Sequence, residues 1–570
     1  MISTRPTLTR LVKEEASAPR AMVATKDPRA TQAGLDILEA GGNAVDAAVA
    51  ACFAIGVVEP TSSGIGGGGY LVYQIGERGG VVGFPMRGPL AARPDMYRLT
   101  GEPAVGNFGW PGVEGDENIE GFRSITTPGA VAGLCEAHRL HGRLPLAEVI
   151  TPAISLARDG FAPNWFNLYS SGLTAGKLFR YAELRNVFMP NGEMPSGDLT
   201  SPASFRQPDL AAVLEAISRN GPDAFYKGDI ARAITSDIQQ NGGILSEEDL
   251  ARYRPFVWED GLEVVYRGHT VRVPPYACAG TTSVMTLKLL DGFDIGPMGH
   301  NSADMLHAYI GSARLAYADR FTYMADPAFV EAPWRGLVSD AYTDRRRATL
   351  QEKAPETREP GDPWVEEERR PETSLAASRP ALDDGTTHLC TMDSDGNAVS
   401  LTNTLMSGFG SGIVPRGTGV SMNNGMMWFD PVPGHVNSIA PGKLPLNNMT
   451  PALVLGADGV RMAVGASGGR RITNCVTQLI VKVLDYGMGP QEAIDSPRID
   501  CSTPATSADP RLDQSVRAEL ESRGHKLLVM GDGFVQTGFA SFASPVAIVR
   551  GDGELRAGVD TFHSAHAAGL

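Results

Sequence analysis

The sequence changes character once, and abruptly. Residues 351–385, QEKAPETREPGDPWVEEERRPETSLAASRPALDDG, are rich in charge and proline and poor in apolar side chains. Such a stretch buries too little apolar surface to order itself and is expected to be solvated and mobile. At Gly385-Thr386-Thr387-His388 the pattern becomes alternating. Residues 387–392 and 398–405 read as paired strands joined by Asp393-Ser394-Asp395-Gly396, a good turn sequence. This break divides the 570 residues into 1–385 and 386–570, and the length exceeds what one hydrophobic core usually holds.

The segments on either side mix helix and strand. Residues 30–58 have apolar side chains at helical spacing with Gly41-Gly42 as a stop and Asn43 as the next cap, a helical hairpin. Residues 145–330 are mostly helical by period, with a strand-like stretch at 262–273. After the break, 452–455 and 461–464 read as strands and 472–485 and 512–523 as helices. Strands and helices in this order predict an α+β fold of sheet layers covered by helices.

Composition excludes several classes. A net charge of −15 repels phosphate backbones, so no nucleic acid is expected as partner. The longest apolar run, 47–58, is too short to span a membrane, and the N-terminal residues lack a signal-peptide core. The cytoplasm is the default reading, with a periplasmic or secreted protein as the alternative if a leader has been removed. The six cysteines form no C-x-x-C pair, and no metal or other cofactor is expected. Cys52 and Cys475 lie in apolar runs and read as buried thiols. The glycines at 66–69 lack the Gly-Lys-Ser/Thr ending of a phosphate loop. His388 reads as a packed strand residue, and the tail carrying His563 and His566 as mobile.

Several long stretches carry a family likeness, in order along the chain: GGNAVDAAVA (41–50), SSGIGGGGY (62–70), TTPGAVAG (126–133), GPDAFYKGDIA (221–231), GGILSEEDLARY (242–253), LAYADR (315–320), TTHLCTMDSDGNAVSLT (386–402), FGSGIV (409–414) and GASGGRRI (465–472). From about residue 22 onwards the chain resembles the gamma-glutamyltransferase family of N-terminal-nucleophile hydrolases. The resemblance implies a four-layer αββα sandwich with a helix-rich part in the larger piece. It also implies self-cleavage between Gly385 and Thr386, yielding a large subunit (1–385) and a small subunit (386–570) that stay together as a heterodimer. Thr386 is then the catalytic nucleophile. A threonine hydroxyl needs a base, and the freed α-amino group, with an ordinary pKa near 7.7–8.0, can serve. Thr404 matches the second catalytic threonine, and Gly468-Gly469, two adjacent backbone N–H groups at a strand-to-helix turn, match an oxyanion hole.

The residues that grip the substrate depart from that family. An arginine there follows the phenylalanine matching Phe84; here Pro85 follows it, and Arg87 lies two residues further on. The family's asparagine two residues after the second threonine is Met406, and its glutamine and aspartate align with Gly425 and Trp428. Its serine pair aligns with Asn447-Asn448. Arg87, Asn447, Asn448, Met406 and Trp428 are therefore the expected substrate-binding residues. The lid matching 428–444 looks short, which favours an open pocket and water as acceptor. Three functions are expected from these residues: a gamma-glutamyltransferase or hydrolase of glutathione-like compounds, an acylase for a glutaryl-like or other carboxyacyl amide, or an unprocessed ligand-binding homologue.

Overall fold

A computed structural model describes residues 11–103, 111–195, 204–371, 375–377, 385–530, 542–551 and 553–570. Fourteen strands build two seven-stranded sheets: β1 (Ala16–Ala18), β2 (Met22–Thr25), β3 (Gly68–Ile75), β4 (Arg78–Phe84), β5 (Phe256–Trp258), β6 (Leu262–Tyr266), β7 (His269–Val273), β8 (Gly385–Met392), β9 (Ala398–Met406), β10 (Ala452–Gly456), β11 (Gly459–Ser467), β12 (Ser544–Arg550), β13 (Leu555–Val559) and β14 (His566–Gly569). One sheet runs β14-β2-β8-β9-β3-β4-β5 and the other β1-β13-β12-β11-β10-β7-β6, with all neighbours antiparallel.

Alternation along the strands explains the layers. In β8, Leu389 faces outwards into a core shared with the hairpin α1 (Pro28–Glu39) and α2 (Ala44–Val58), while Cys390 and Met392 face the other sheet. In β10, Val454 faces helices α3 (Ala279–Asp291), α4 (Ala303–Tyr323) and α5 (Arg471–Tyr486), whereas Leu453 faces inwards. The result is the expected αββα sandwich. Helix α2 is apolar on every side and accordingly buried, and it opens on a capping box in which Asn43 and Asp46 exchange bonds.

Two expectations are corrected. The C-terminal tail is anchored: β14 pairs with β2, and His563 is 1% exposed. A tail that supplies backbone to a sheet edge is held by the ladder, whatever its composition. The charged segment is also partly ordered. Gly361 N–H donates to Asp319 Oδ1 at 2.8 Å, and Gly336 N–H donates to Glu367 Oε1 at 2.8 Å. Residues 378–384 lie outside the described residues. All six cysteines are buried, free thiols.

Candidate active site

Strand β8 begins at Gly385 with an irregularity. Gly385 pairs with Met406 and Thr387 with Asn403, so the register slips at Thr386. That bulge turns the Thr386 hydroxyl towards Thr404, with 3.1 Å between the two oxygens. Thr404 Oγ1 donates to the Gly385 carbonyl in a short bond and accepts the Met406 N–H at 2.8 Å. Its one proton is thus committed to the carbonyl, so Thr386 donates to Thr404 and keeps its own lone pairs free. The Gly385–Thr386 peptide therefore has a polarised carbonyl beside a free hydroxyl oxygen. Gly385 is fitted tightly: a Cβ there would sit 2.6 Å from the Ser407 carbonyl carbon.

Gly468 and Gly469 follow β11 with φ of 127° and 63°, the left-handed region that glycine adopts without strain. A Cβ on Gly468 would meet Ala543 Cα at 2.8 Å. Three residues earlier, Gly465 lies directly against the His388 ring, which brings β11 against the strand carrying Thr386. His388 bonds Thr402 Oγ1 at 2.9 Å, as expected of a packed strand residue. Burial and the Lys26 charge push its pKa well below 6.5, so it is neutral.

The expected substrate-binding residues separate into two groups. Met406 and Trp428 are buried with Met427, Met449 and Tyr70 in the core between the sheets. They form a soft, apolar wall between the sheets, and Met406 follows Thr404 by two residues. Asn447 lies next to this wall, its Nδ2 donating to Tyr70 Oη at 3.1 Å and to the Ala277 carbonyl at 2.9 Å. Asn448 Oδ1 accepts from Arg320 at 3.1 Å. Arg87 lies further out. Its guanidinium stacks 4.5 Å over the Phe256 ring and lines a cavity of about 190 Å3 with Tyr70, Trp258 and Tyr276. Its Nη2 donates to the Arg254 carbonyl at 3.4 Å, its Nε has no hydrogen-bond partner among the described residues, and Asp326 lines the same cavity.

Where the resemblance places an ammonium clamp, the chain is closed. Gly425 is packed so tightly that a Cβ would lie 2.3 Å from Thr126 Oγ1, leaving no room for a glutamine. Asp430, the nearest acid to Trp428 in sequence, is already engaged: its Oδ2 is 2.7 Å from His435 Nδ1 and its Oδ1 accepts the Val432 N–H. The lid 428–444 is pinned rather than open. Lys443 Nζ donates to the Val436 and Ser438 carbonyls at 2.7 and 2.9 Å, and Ala376 pairs with His435 from above. A lysine that donates to two carbonyls of its own loop ties that loop together. Sequence reasoning missed these contacts, and it missed the acid Glu59 at the end of α2, whose one outward signal was a carboxylate closing an apolar helix.

Two antiparallel sheets between helical layers, with a threonine at the head of a central strand, define the N-terminal-nucleophile hydrolases. The family model described as Gamma-glutamyltranspeptidase matches residues 30–570, and the chain belongs to that family. It is an enzyme that acts on amides by hydrolysis or acyl transfer. Its relatives include the Acylase ACY 1 proenzyme of Pseudomonas sp. (strain SE83), 36% identical over 522 residues that cover 90% of this chain and 88% of the relative. The Glutathione hydrolase proenzyme of Escherichia coli (strain K12) is 35% identical over 499 residues, covering 84% and 81%. Among solved structures, cephalosporin acylase from Bacillus halodurans superposes with a TM-score of 0.84 at 29% identity, covering 100% of this chain and 99% of that one.

Proposed function

We propose that the chain splits itself between Gly385 and Thr386 and then hydrolyses amides of carboxylated acyl groups that lack a free α-amino group. In the first step Thr386 Oγ1 attacks the Gly385 carbonyl carbon. The C–N bond breaks, the hydroxyl proton passes to the departing nitrogen, and an ester remains. Water adds to that ester, releasing Gly385 as a carboxylate and restoring the hydroxyl beside a new α-amino group. The Thr386–Thr404–Gly385 hydrogen-bond chain supports this step, and the proenzyme names of both relatives agree with it.

In turnover the same hydroxyl attacks the substrate carbonyl, with the α-amino group taking the proton. The Gly468 and Gly469 N–H groups supply the positive edge for the oxyanion, and the amine leaves with the proton. Water then cleaves the acyl-threonine ester. The leading support for the acyl class is the closed clamp. A substrate ammonium would meet Met406, Trp428 and an aspartate already held by His435, and a buried ammonium without an acid is strongly disfavoured. Arg87, over its aromatic bed, is the candidate for the far carboxylate.

The second reading, hydrolysis of gamma-glutamyl amides, draws support from the E. coli relative. Comparing kcat/KM for glutaryl-p-nitroanilide and gamma-glutamyl-p-nitroanilide separates the two, and clearly faster turnover of the gamma-glutamyl compound refutes the acylase reading. A denaturing gel tests the cleavage itself: two chains of about 385 and 185 residues are expected, and a single active chain sinks the whole mechanism.

A further inference from the structure

Behind the nucleophile, on the face of β8 opposite Thr404, lies a cluster that the mechanism above does not use. Thr387 Oγ1 donates to Glu59 Oε2 at 2.9 Å. The other carboxylate oxygen, Oε1, is 2.8 Å from His563 Nε2. His563 Nδ1 lies 3.2 Å from the Lys26 carbonyl, so each ring nitrogen faces an oxygen that only accepts. The Phe166 ring lies 3.6 Å from the imidazole, centroid to centroid. Lys26 is itself fully buried and donates to the carbonyl and hydroxyl of Ser544. Glu59 is 1% exposed and His563 1% exposed. An acid this deeply buried needs compensation from its neighbours, and here the last turn of α2, the C-terminal segment and β8 meet at one carboxylate.

We propose that Glu59 is a positioning residue for the nucleophile, holding Thr387 by its hydroxyl and so fixing Thr386 after the chain is cut. The proposal rests on the reading of Thr386 as nucleophile. Before cleavage, β8 is secured at its head by the pairing of Gly385 with Met406 and by the bond from Thr404 to the Gly385 carbonyl. Scission removes both. On its other side β8 pairs with β2 only from Cys390 to Met392, so Thr387, His388 and Leu389 have a strand neighbour on one flank alone. A free chain end bound on one flank frays. The Glu59 carboxylate holds the residue next to the nucleophile from below, and His563, contributed by the far C-terminus, fixes the carboxylate in turn.

The test uses the full-length, processed enzyme. Thr387→Val removes the donor at nearly constant volume, Thr387→Ser keeps it, and Glu59→Gln keeps the shape while removing the charge. The expected result is a kcat lower by about tenfold or more for Thr387→Val, with KM for a chromogenic amide within about twofold. Thr387→Ser restores kcat, and Glu59→Gln falls between them. The proposal is overturned if Thr387→Val keeps kcat within about twofold of wild type, if KM carries the loss, or if serine fails to restore kcat. A Thr387→Val protein that does not fold while Thr387→Ser does overturns it as well, because the hydroxyl then serves stability. Thr386→Ala tells the two readings apart. If that variant still splits, the nucleophile assignment fails. If splitting and turnover need Thr386 but ignore Thr387→Val, the positioning claim fails by itself.

Discussion

The hydroxyl oxygens of Thr386 and Thr404 lie 3.1 Å apart, and the second of them donates its proton to the carbonyl that the first would attack. In the proposed self-cleavage, Thr404 would both polarise the Gly385 carbonyl and orient the attacking hydroxyl. Thr404→Val removes both effects at constant shape, and Thr404→Ser keeps them. Self-cleavage of Thr404→Val, followed by gel over time, is expected to slow by about tenfold to hundredfold, the loss of one or two hydrogen bonds to a charged transition state. Thr404→Ser is expected to split at nearly the wild-type rate. Equal rates for the two variants would remove Thr404 from the mechanism.

Gly468 combines a φ of 127° with a site where a Cβ would touch Ala543 Cα at 2.8 Å. Gly468→Ala should therefore twist the N–H away from the oxyanion, lowering kcat by about a hundredfold and destabilising the fold by about 1–3 kcal/mol. Steady-state kinetics and a urea titration read the two effects separately. Unchanged kcat in a destabilised protein would mean that this turn is structural alone.

Met406 has a φ of +88° and lies in the apolar core between the sheets, two residues beyond Thr404. Asparagine tolerates a positive φ better than methionine, so Met406→Asn is expected to fold. It should lower the preference for glutaryl over gamma-glutamyl p-nitroanilide by several-fold, because a polar group then faces the acyl chain. Arg87→Ala should raise KM for the glutaryl substrate with little change in kcat, as expected for a group that binds ground and transition states alike. A preference that stays constant in both variants would place the specificity elsewhere.

Acid should destabilise the fold. Burial holds His388 well below its ordinary 6.5, lowers His300 to about 4, and with nearby positive charge lowers His525 to about 3. Between these values and 6.5 the unfolded chain binds more protons than the folded one, so stability is full above about pH 6.5 and falls as pH drops through it. The urea midpoint should be lower at pH 5.5 than at pH 7.5. An equal or higher midpoint at pH 5.5 would show that these rings are protonated in the fold.

Much of the architecture was legible because it follows from local periodicity. The strands on either side of Asp393-Ser394-Asp395-Gly396 pair as their alternation predicts, and Asn43 caps α2. Thr386, Thr404 and Gly468-Gly469 were found by their resemblance to family motifs; the two threonines stand on neighbouring strands of one sheet, and the glycines follow a strand of the other. The anchored tail was missed because a short alternation of small residues, His566 to Gly569, carries little signal until β2 offers it an edge.

The sequence by itself determined where the alternating pattern of the central hairpin begins and which faces are apolar, since each depends on neighbours within a few residues, and the family motif singled out Thr386. Only the tertiary structure decided how the site is held and what surrounds it. Glu59 meets Thr387 and His563, Gly425 closes on Thr126, and Asp430 is taken by His435. A buried charge or cavity is defined by whatever the fold packs around it. The first two of these contacts join residues hundreds of positions apart. The third depends on how one loop folds back on itself, which residue types in order do not specify.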